Sequence, residues 1–284
     1  MEKRKGVIYT IVSAIGFGCL AIFSGIAYRY GANLSTVVCS RFLFASMILW
    51  SIIFIKKHDF KIGKAKIISL SILGGVGYNA VAYLYFASLR YIPTSIVALI
   101  FYSYPVIVSI LSYFIFKESF SKYKLLALGL SMLGLLLIVG FVSDDINIFG
   151  VMLIISAAIL YSVYIIACNK VVEGVNPIVT TTYISTSAFG MALIIGLFSG
   201  GLFVMELGAW ISLFFMGALS TALSILLFFE GLKRIGPSKT SIISTVELLV
   251  TTALAAIIFS EVIKGTQIVG GVLIVASIIF LQKE

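Results

Sequence analysis

Residues 6–28 read GVIYTIVSAIGFGCLAIFSGIAY, twenty-three positions without a charge. An α-helix rises 1.5 Å per residue, so about 20 such residues cross the roughly 30 Å of hydrocarbon in a bilayer. A transmembrane strand would show about ten residues of alternating polarity instead. The run follows Met1-Glu2-Lys3-Arg4-Lys5, a basic start that imitates a secretory leader. It is too long for a leader's apolar core, and no small-x-small cleavage site with a polar mature start follows. It therefore reads as a first membrane-spanning helix.

The pattern continues outward from this run. Ten apolar stretches succeed one another at roughly 6–28, 33–55, 66–88, 93–116, 122–141, 147–169, 177–198, 208–231, 237–259 and 265–281. The breaks are short and hold the charges, as in Lys56-Lys57-His58-Asp59, Asp144-Asp145 and Lys233-Arg234-Ile235-Gly236-Pro237. Pro93, Pro177 and Pro237 fall at or near span starts, where a missing N–H costs least. Ten spans with short loops use the whole 284-residue chain and leave no room for a soluble domain.

Composition agrees. The chain is 61% hydrophobic and 11% charged, against about 45–50% apolar and about 25% charged in a soluble domain. A soluble enzyme, a nucleic-acid binder, a disordered chain and a secreted disulfide scaffold are all poor readings. Cys19, Cys39 and Cys168 each lie inside an apolar run with no CxxC spacing, as small buried hydrophobes do. The expected fold is an all-α integral membrane protein with ten transmembrane helices, in contact with the lipid bilayer.

Charge placement orients it. With the N-terminus inside, sixteen of the 20 Lys and Arg residues fall in inner segments. Arg29, Arg90 and Lys264 fall outside, and Arg41 lies within a span. The excess of Lys and Arg on one side marks the cytoplasmic face, so both termini are expected in the cytoplasm and the protein in the cell membrane. This placement also accounts for the net charge of +9 without nucleic acid.

The two halves are weak copies. Gly6-Val7 matches Gly150-Val151 at an offset of 144. Leu89-Arg90-Tyr91-Ile92-Pro93-Thr94-Ser95 resembles Leu232-Lys233-Arg234-Ile235-Gly236-Pro237-Ser238, and each precedes an apolar helix ending in a glutamate, Glu118 and Glu261. Two repeats of five helices are expected, residues 1–142 and 143–284. Five is odd, so the second copy enters from the opposite side. Such inverted-topology repeats belong to secondary transporters that work by alternating access.

Several residues in combination carry a family resemblance: Ser40-Arg41-Phe42 in the second span, Tyr104-Pro105-Val106 followed by Glu118, and Ser260-Glu261 ending the ninth span. On these the chain resembles the EamA type of the drug/metabolite transporter superfamily over essentially its whole length. The resemblance implies a ten-helix bundle with the substrate path between the halves, lined by spans 1, 3, 4, 6, 8 and 9. It implies transport of amino acids, other metabolites or organic cations by ion gradients or exchange. One departure stands out: where the family's second repeat often has proline, this chain reads Thr245-Val246-Glu247-Leu248, which puts the kink there in question.

Arg41 and Glu247 are the two ionisable side chains deep in the expected spans. A charge at mid-bilayer costs at least about 2.5–3.5 kcal/mol, so both must face protein or water. Arg41 has two readings, a structural tie to helix carbonyls or a neighbouring helix, and a charge-coupling role. Glu247 could serve as counter-ion to a cationic or amino-bearing substrate or as a proton carrier. The two lie at similar depth and could pair. Tyr78, Asn79, Tyr83, Tyr102, Tyr104 and Tyr161 are cavity candidates, because deep tyrosines need polar partners; ordinary helix packing is the competing reading. Ser244 could line the second half of the path or bond a backbone carbonyl. Gly75 and Gly77 suit a hinge or close packing, and Pro105 should kink its helix.

The function expected is a secondary active transporter of small organic solutes, amino acids or related metabolites, proton- or ion-coupled, with no cofactor and no metal. The alternative is an organic-cation or quaternary-ammonium transporter using Glu247 and the tyrosines. A channel lacks a repeated filter here. An intramembrane enzyme needs several ionisable groups or a metal set at one depth, and the chain has one histidine. A Glu247→Gln variant that transports at the wild-type rate across pH would exclude the counter-ion and proton roles together.

Overall fold

A computed structural model of the chain describes residues 2–140, 147–199, 205–260 and 262–282. Asp144, Asp145, Glu261 and Lys283, which entered the sequence reading, lie outside the described residues. Among those described, helices follow one another with no strand. In chain order they are α1 (Glu2–Gly18), α2 (Leu20–Arg29), α3 (Leu34–Ile55), α4 (Lys64–Ile72), α5 (Asn79–Ser88), α6 (Thr94–Phe101) and α7 (Tyr104–Phe116). They continue as α8 (Lys122–Val139), α9 (Ile148–Val172), α10 (Pro177–Ser199), α11 (Leu207–Phe215), α12 (Ser224–Ser244), α13 (Val246–Phe259) and α14 (Gly265–Leu281). Two π-helical stretches, Leu73–Tyr78 and Met216–Leu223, join α4 to α5 and α11 to α12.

Eight continuous helical stretches among the described residues are long and apolar enough to cross a membrane. The first seven, from Glu2–Arg29 to Pro177–Phe198, coincide within a few residues with the first seven apolar stretches read from the sequence. The eighth, Leu207–Phe259, runs through two of the expected spans. Gly236 breaks it with φ 77° and ψ 169°, a left-handed φ that glycine alone adopts without strain. The last apolar helix, Gly265–Leu281, has 17 residues. Phe198, 91% exposed, and Ile257, 77% exposed, stand on the outside. Such side chains would make an aggregating surface in water and suit hydrocarbon.

The irregularities recur with the interval of the sequence repeat. Gly31 (φ 83°) and Gly174 (φ 73°) are 143 residues apart. So are Lys117 (φ 54°) and Ser260 (φ 58°), the left-handed ends of α7 and α13. The two π stretches begin at Leu73 and Met216, again 143 apart. Two more breaks, at Tyr102-Ser103 and at Thr245, fall at nearly the same interval. Pro105 lies in the first turn of α7, so the helix is interrupted just ahead of it. The second copy breaks without a proline, which answers the question raised by the sequence. At each break a hydroxyl takes the carbonyl three residues back, Ser103 to Ile100 at 2.6 Å and Thr245 to Ile242 at 2.7 Å. Such local bonds compete with the helical ladder.

The chain divides into two compact units, and each draws on both halves of the sequence. The first comprises Met1–Asn79 and Cys168–Arg234, the second Ala80–Ala167 and Ile235–Glu284. In the first unit Leu49 and Ile53 of α3 pack with Val175, Ile178, Val179 and Ala222. Ala27 and Val37 pack with Ala209, Leu213 and Met216. Ser13 donates to the Ser224 carbonyl and Ser212 to that of Phe23, each at 2.7 Å. In the second unit Ile92, Ile96 and Val97 pack on Ile154 and Ala157.

Small residues set helix spacing where apolar burial gives no drive. Helices α8 and α14 cross at Gly134 and Gly270, where a Cβ on Gly134 would stand 2.6 Å from the Gly270 carbonyl oxygen. That oxygen is backbone and cannot move aside. Gly134→Ala should therefore destabilise the detergent-purified protein by about 1–3 kcal/mol, the usual range for overpacking. Gly129→Ala, on the same helix with open space around it, should be neutral or slightly stabilising. Thermal unfolding of the two variants checks the pair.

Candidate functional site

The second unit gathers a carboxylate and a cluster of aromatic rings. The break between α6 and α7 presents Phe101, Tyr102 and Tyr104. Phe101 stacks on Tyr161 of α9 at 5.4 Å and meets Tyr85 of α5 edge-on at 5.2 Å. Tyr104 meets Tyr161 edge-on at 4.8 Å, and Tyr161 stacks on Tyr164 at 6.0 Å. The Tyr102 side chain hydrogen-bonds Glu247, and Glu247 also interacts electrostatically with Tyr85 and Tyr104. Glu247 stands in the first turn of α13, where free backbone N–H groups and the helix dipole favour a negative charge.

Tyr104 is buried, with its hydroxyl 3.5 Å from the Ser241 carbonyl and a further hydrogen bond to the Ser244 side chain. Ser244 itself donates to the Thr240 carbonyl at 2.9 Å. Of the residues singled out in the sequence, Tyr102, Tyr104, Tyr161, Ser244 and Glu247 are thus brought together. Tyr83 stands half-buried on α5. Tyr85 and Phe101, which belong to the cluster, are not among the cavity candidates read from the sequence. The density of rings at 83–86 and 101–104 was the available signal.

Arg41, Tyr78 and Asn79 lie in the first unit. Arg41 is 7% exposed. Its Nη2 donates to the Tyr78 hydroxyl at 2.6 Å, and its guanidinium carbon stands 4.5 Å from the centre of the Phe42 ring. Its Nε is buried with no hydrogen-bond partner among the described residues. This hydrogen bond ties α3 to the π stretch that follows α4.

Asn79 has a backbone duty. Its Nδ2 donates to Gly75 at 2.9 Å, Gly74 at 3.4 Å and Ala188 at 3.3 Å, all carbonyls. Wider π turns leave carbonyls in need of donors, and such turns are frequent at functional sites. Gly75 and Gly77 both lie in this π stretch, where Gly74 packs against the Ile184 backbone closely enough that a Cβ would clash. In the second π stretch hydroxyls do the same work, Thr221 to Met216 at 3.0 Å and Ser224 to Leu219 at 2.8 Å.

One polar cluster was not anticipated as such. Glu118, the glutamate that follows the fourth expected span, pairs with buried Lys124 at 3.0 Å and accepts a hydrogen bond from Ser238 at 2.5 Å. The three residues tie the end of α7 to the start of α8 and to the kink of α12, all in the second unit. Removing one partner of a buried pair leaves an uncompensated charge. Lys124→Met should cost about 2–3 kcal/mol, reduced from the fully buried case because Glu118 keeps some solvent. The double variant with Glu118→Gln should recover part of it, as denaturant or thermal unfolding would show.

Apolar helices with an exterior suited to lipid, interrupted at matching points of two sequence halves, define a multi-pass membrane protein built on an internal repeat. The EamA-like transporter family model matches residues 4–140 and again 148–282. The chain belongs to that family, and a transporter role follows. Among relatives, the Uncharacterized transporter YyaM of Bacillus subtilis is 28% identical over 267 residues, 90% of this chain and 83% of that protein. The Uncharacterized transporter YcbK of the same organism is 24% identical over 280 residues, covering 95% and 90%. A solved structure described as "Crystal structure of protein" aligns over 98% of both chains with a TM-score of 0.86 and 14% identity, which shows a shared fold.

Proposed function

We propose that the protein is a secondary active transporter of small organic solutes, amino acids or related metabolites, working by alternating access. In this reading ten spans form two inverted five-helix repeats, residues 1–142 and 143–284, with both termini on the cytoplasmic side of the cell membrane. The observation that carries it is the recurrence of left-handed turns and π stretches 143 residues apart. Paired interruptions in repeated spans are the places where transporters of this architecture bind and bend. Gly75, Gly77 and Pro105 supply the flexible points of the first copy. Transport of an organic cation is a second reading, favoured by the contact between Glu247 and Tyr102.

Purified protein reconstituted into liposomes tests the proposal. A solute found by thermal-shift screening should be taken up saturably, and uptake of labelled solute should accelerate when the liposomes are preloaded with unlabelled solute. Preloading should stimulate initial uptake several-fold. Ohmic current with no counterflow would mean a channel and overturn the proposal.

A further inference from the structure

The buried cation of the first unit stands without a counter-charge. Arg41 lies well inside the 22-residue α3, and a guanidinium stays charged in proteins. It makes no ion pair among the described residues. The acidic residues of its unit, Glu2, Asp59, Glu173, Glu206 and Glu230, stand outside α3 and the π stretch that holds Tyr78. Glu2 and Glu230 are taken by Arg234. Of the N–H donors of the Arg41 guanidinium, one on Nη2 serves the Tyr78 hydroxyl. Nε is sealed in without an acceptor, and Nη1 donates to none among the described residues. The rings of Phe42 and Tyr78 lie 4.5 Å and 5.3 Å from the guanidinium carbon and meet each other edge-on at 5.2 Å. Ring faces attract a cation, but neither they nor a phenol bring the negative charge that offsets desolvation of a guanidinium. Tyr28 of α2, 42% exposed, interacts electrostatically with Arg41, so the charge is felt at an exposed position of the unit.

We propose that Arg41 is the anchor for a carboxylate on the transported solute, which docks on the unused N–H donors and supplies the missing negative charge. The planar fork of a guanidinium matches the two oxygens of a carboxylate. Tyr78 and Phe42 hold the fork in place. The proposal rests on the transporter reading above and narrows its substrate class to solutes with a free carboxylate. A tie to Tyr78 alone needs a donor and no charge, and an unpaired buried charge works against stability.

Matched acids and amides test it on the detergent-purified protein: glycine, alanine, leucine, phenylalanine, acetate and propionate, each beside its primary amide. Chloride at the same ionic strength is the bare-ion control. Binding is read by calorimetry and by the ligand-induced rise in unfolding temperature. At least one acid should bind, and its amide should bind at least tenfold more weakly (on the order of the loss of one charge-assisted pair). Arg41→Met removes the charge and keeps an unbranched chain. It should weaken binding of that acid at least tenfold, while the unliganded variant unfolds at the wild-type temperature or above it. Arg41→Lys keeps the charge without the fork and should bind the acid severalfold more weakly than wild type; it decides the matter if Arg41→Met does not fold. No binding by any acid, equal binding of an acid and its amide, protection by chloride equal to that by the acids, or acid affinity unchanged in the Arg41 variants would overturn the proposal. Counterflow of a solute that has no carboxylate would leave the transporter reading standing and the anchor refuted. Acid binding lost in Arg41→Met, with no counterflow of any solute, would uphold the anchor and refute transport.

Discussion

In hydrocarbon no water stands ready for a stray backbone N–H or C=O, so each interruption of a helix must bring its own partner. Most of the particular features of this protein answer that requirement. Where the ladder widens at Leu73–Tyr78 the Asn79 amide covers the Gly74 and Gly75 carbonyls. Where it widens at Met216–Leu223, Thr221 and Ser224 do so with hydroxyls. Where it breaks outright, Ser103 and Thr245 fill in. The two copies solve one problem with different side chains, and the shared element is the position of the defect rather than the residue that mends it.

The same requirement explains why polar residues are plentiful inside an apolar chain. Thr10, Ser46, Ser109, Ser162, Thr181 and Thr182 all donate to a carbonyl one turn back. These bonds let hydroxyls sit in hydrocarbon without a separate partner, and they make serine and threonine poor signposts of a binding site. Tyrosine and glutamate cannot be satisfied so locally, because their polar atoms stand several bonds from the backbone. That is why the cluster around Glu247 has to be built by several helices.

Span limits were readable because a charge-free run of some twenty residues is an unambiguous signal. The breaks were readable only in part. Gly74, Gly75 and Gly77 announce weakness in the third span, but Met216–Leu223 carries a single glycine and looks like any other apolar run. The break at Thr245 lacks the proline that marks its counterpart near Pro105. Asn79 is a cavity candidate in the sequence, and the service its amide nitrogen gives to backbone carbonyls was not readable there. Glu118 lies in the link between α7 and α8 and Lys124 in the first turn of α8, so helical spacing gave no hint of their pairing. Tyr85 and Phe101 needed the tertiary arrangement before their membership of the ring cluster could be seen.

The interleaving of the two compact units bears on how the protein is made. Helix α3 finds its packing partners in Val175, Ile178 and Val179, which the ribosome supplies more than a hundred residues later. At about 5–20 residues per second, the first four helices wait on the order of ten seconds in the bilayer with those faces covered only by lipid. The second unit is also open until its last helix arrives, since α8 must await α14. Insertion of single helices and assembly of the units are thus separate stages in time, and the membrane itself acts as the holding environment between them.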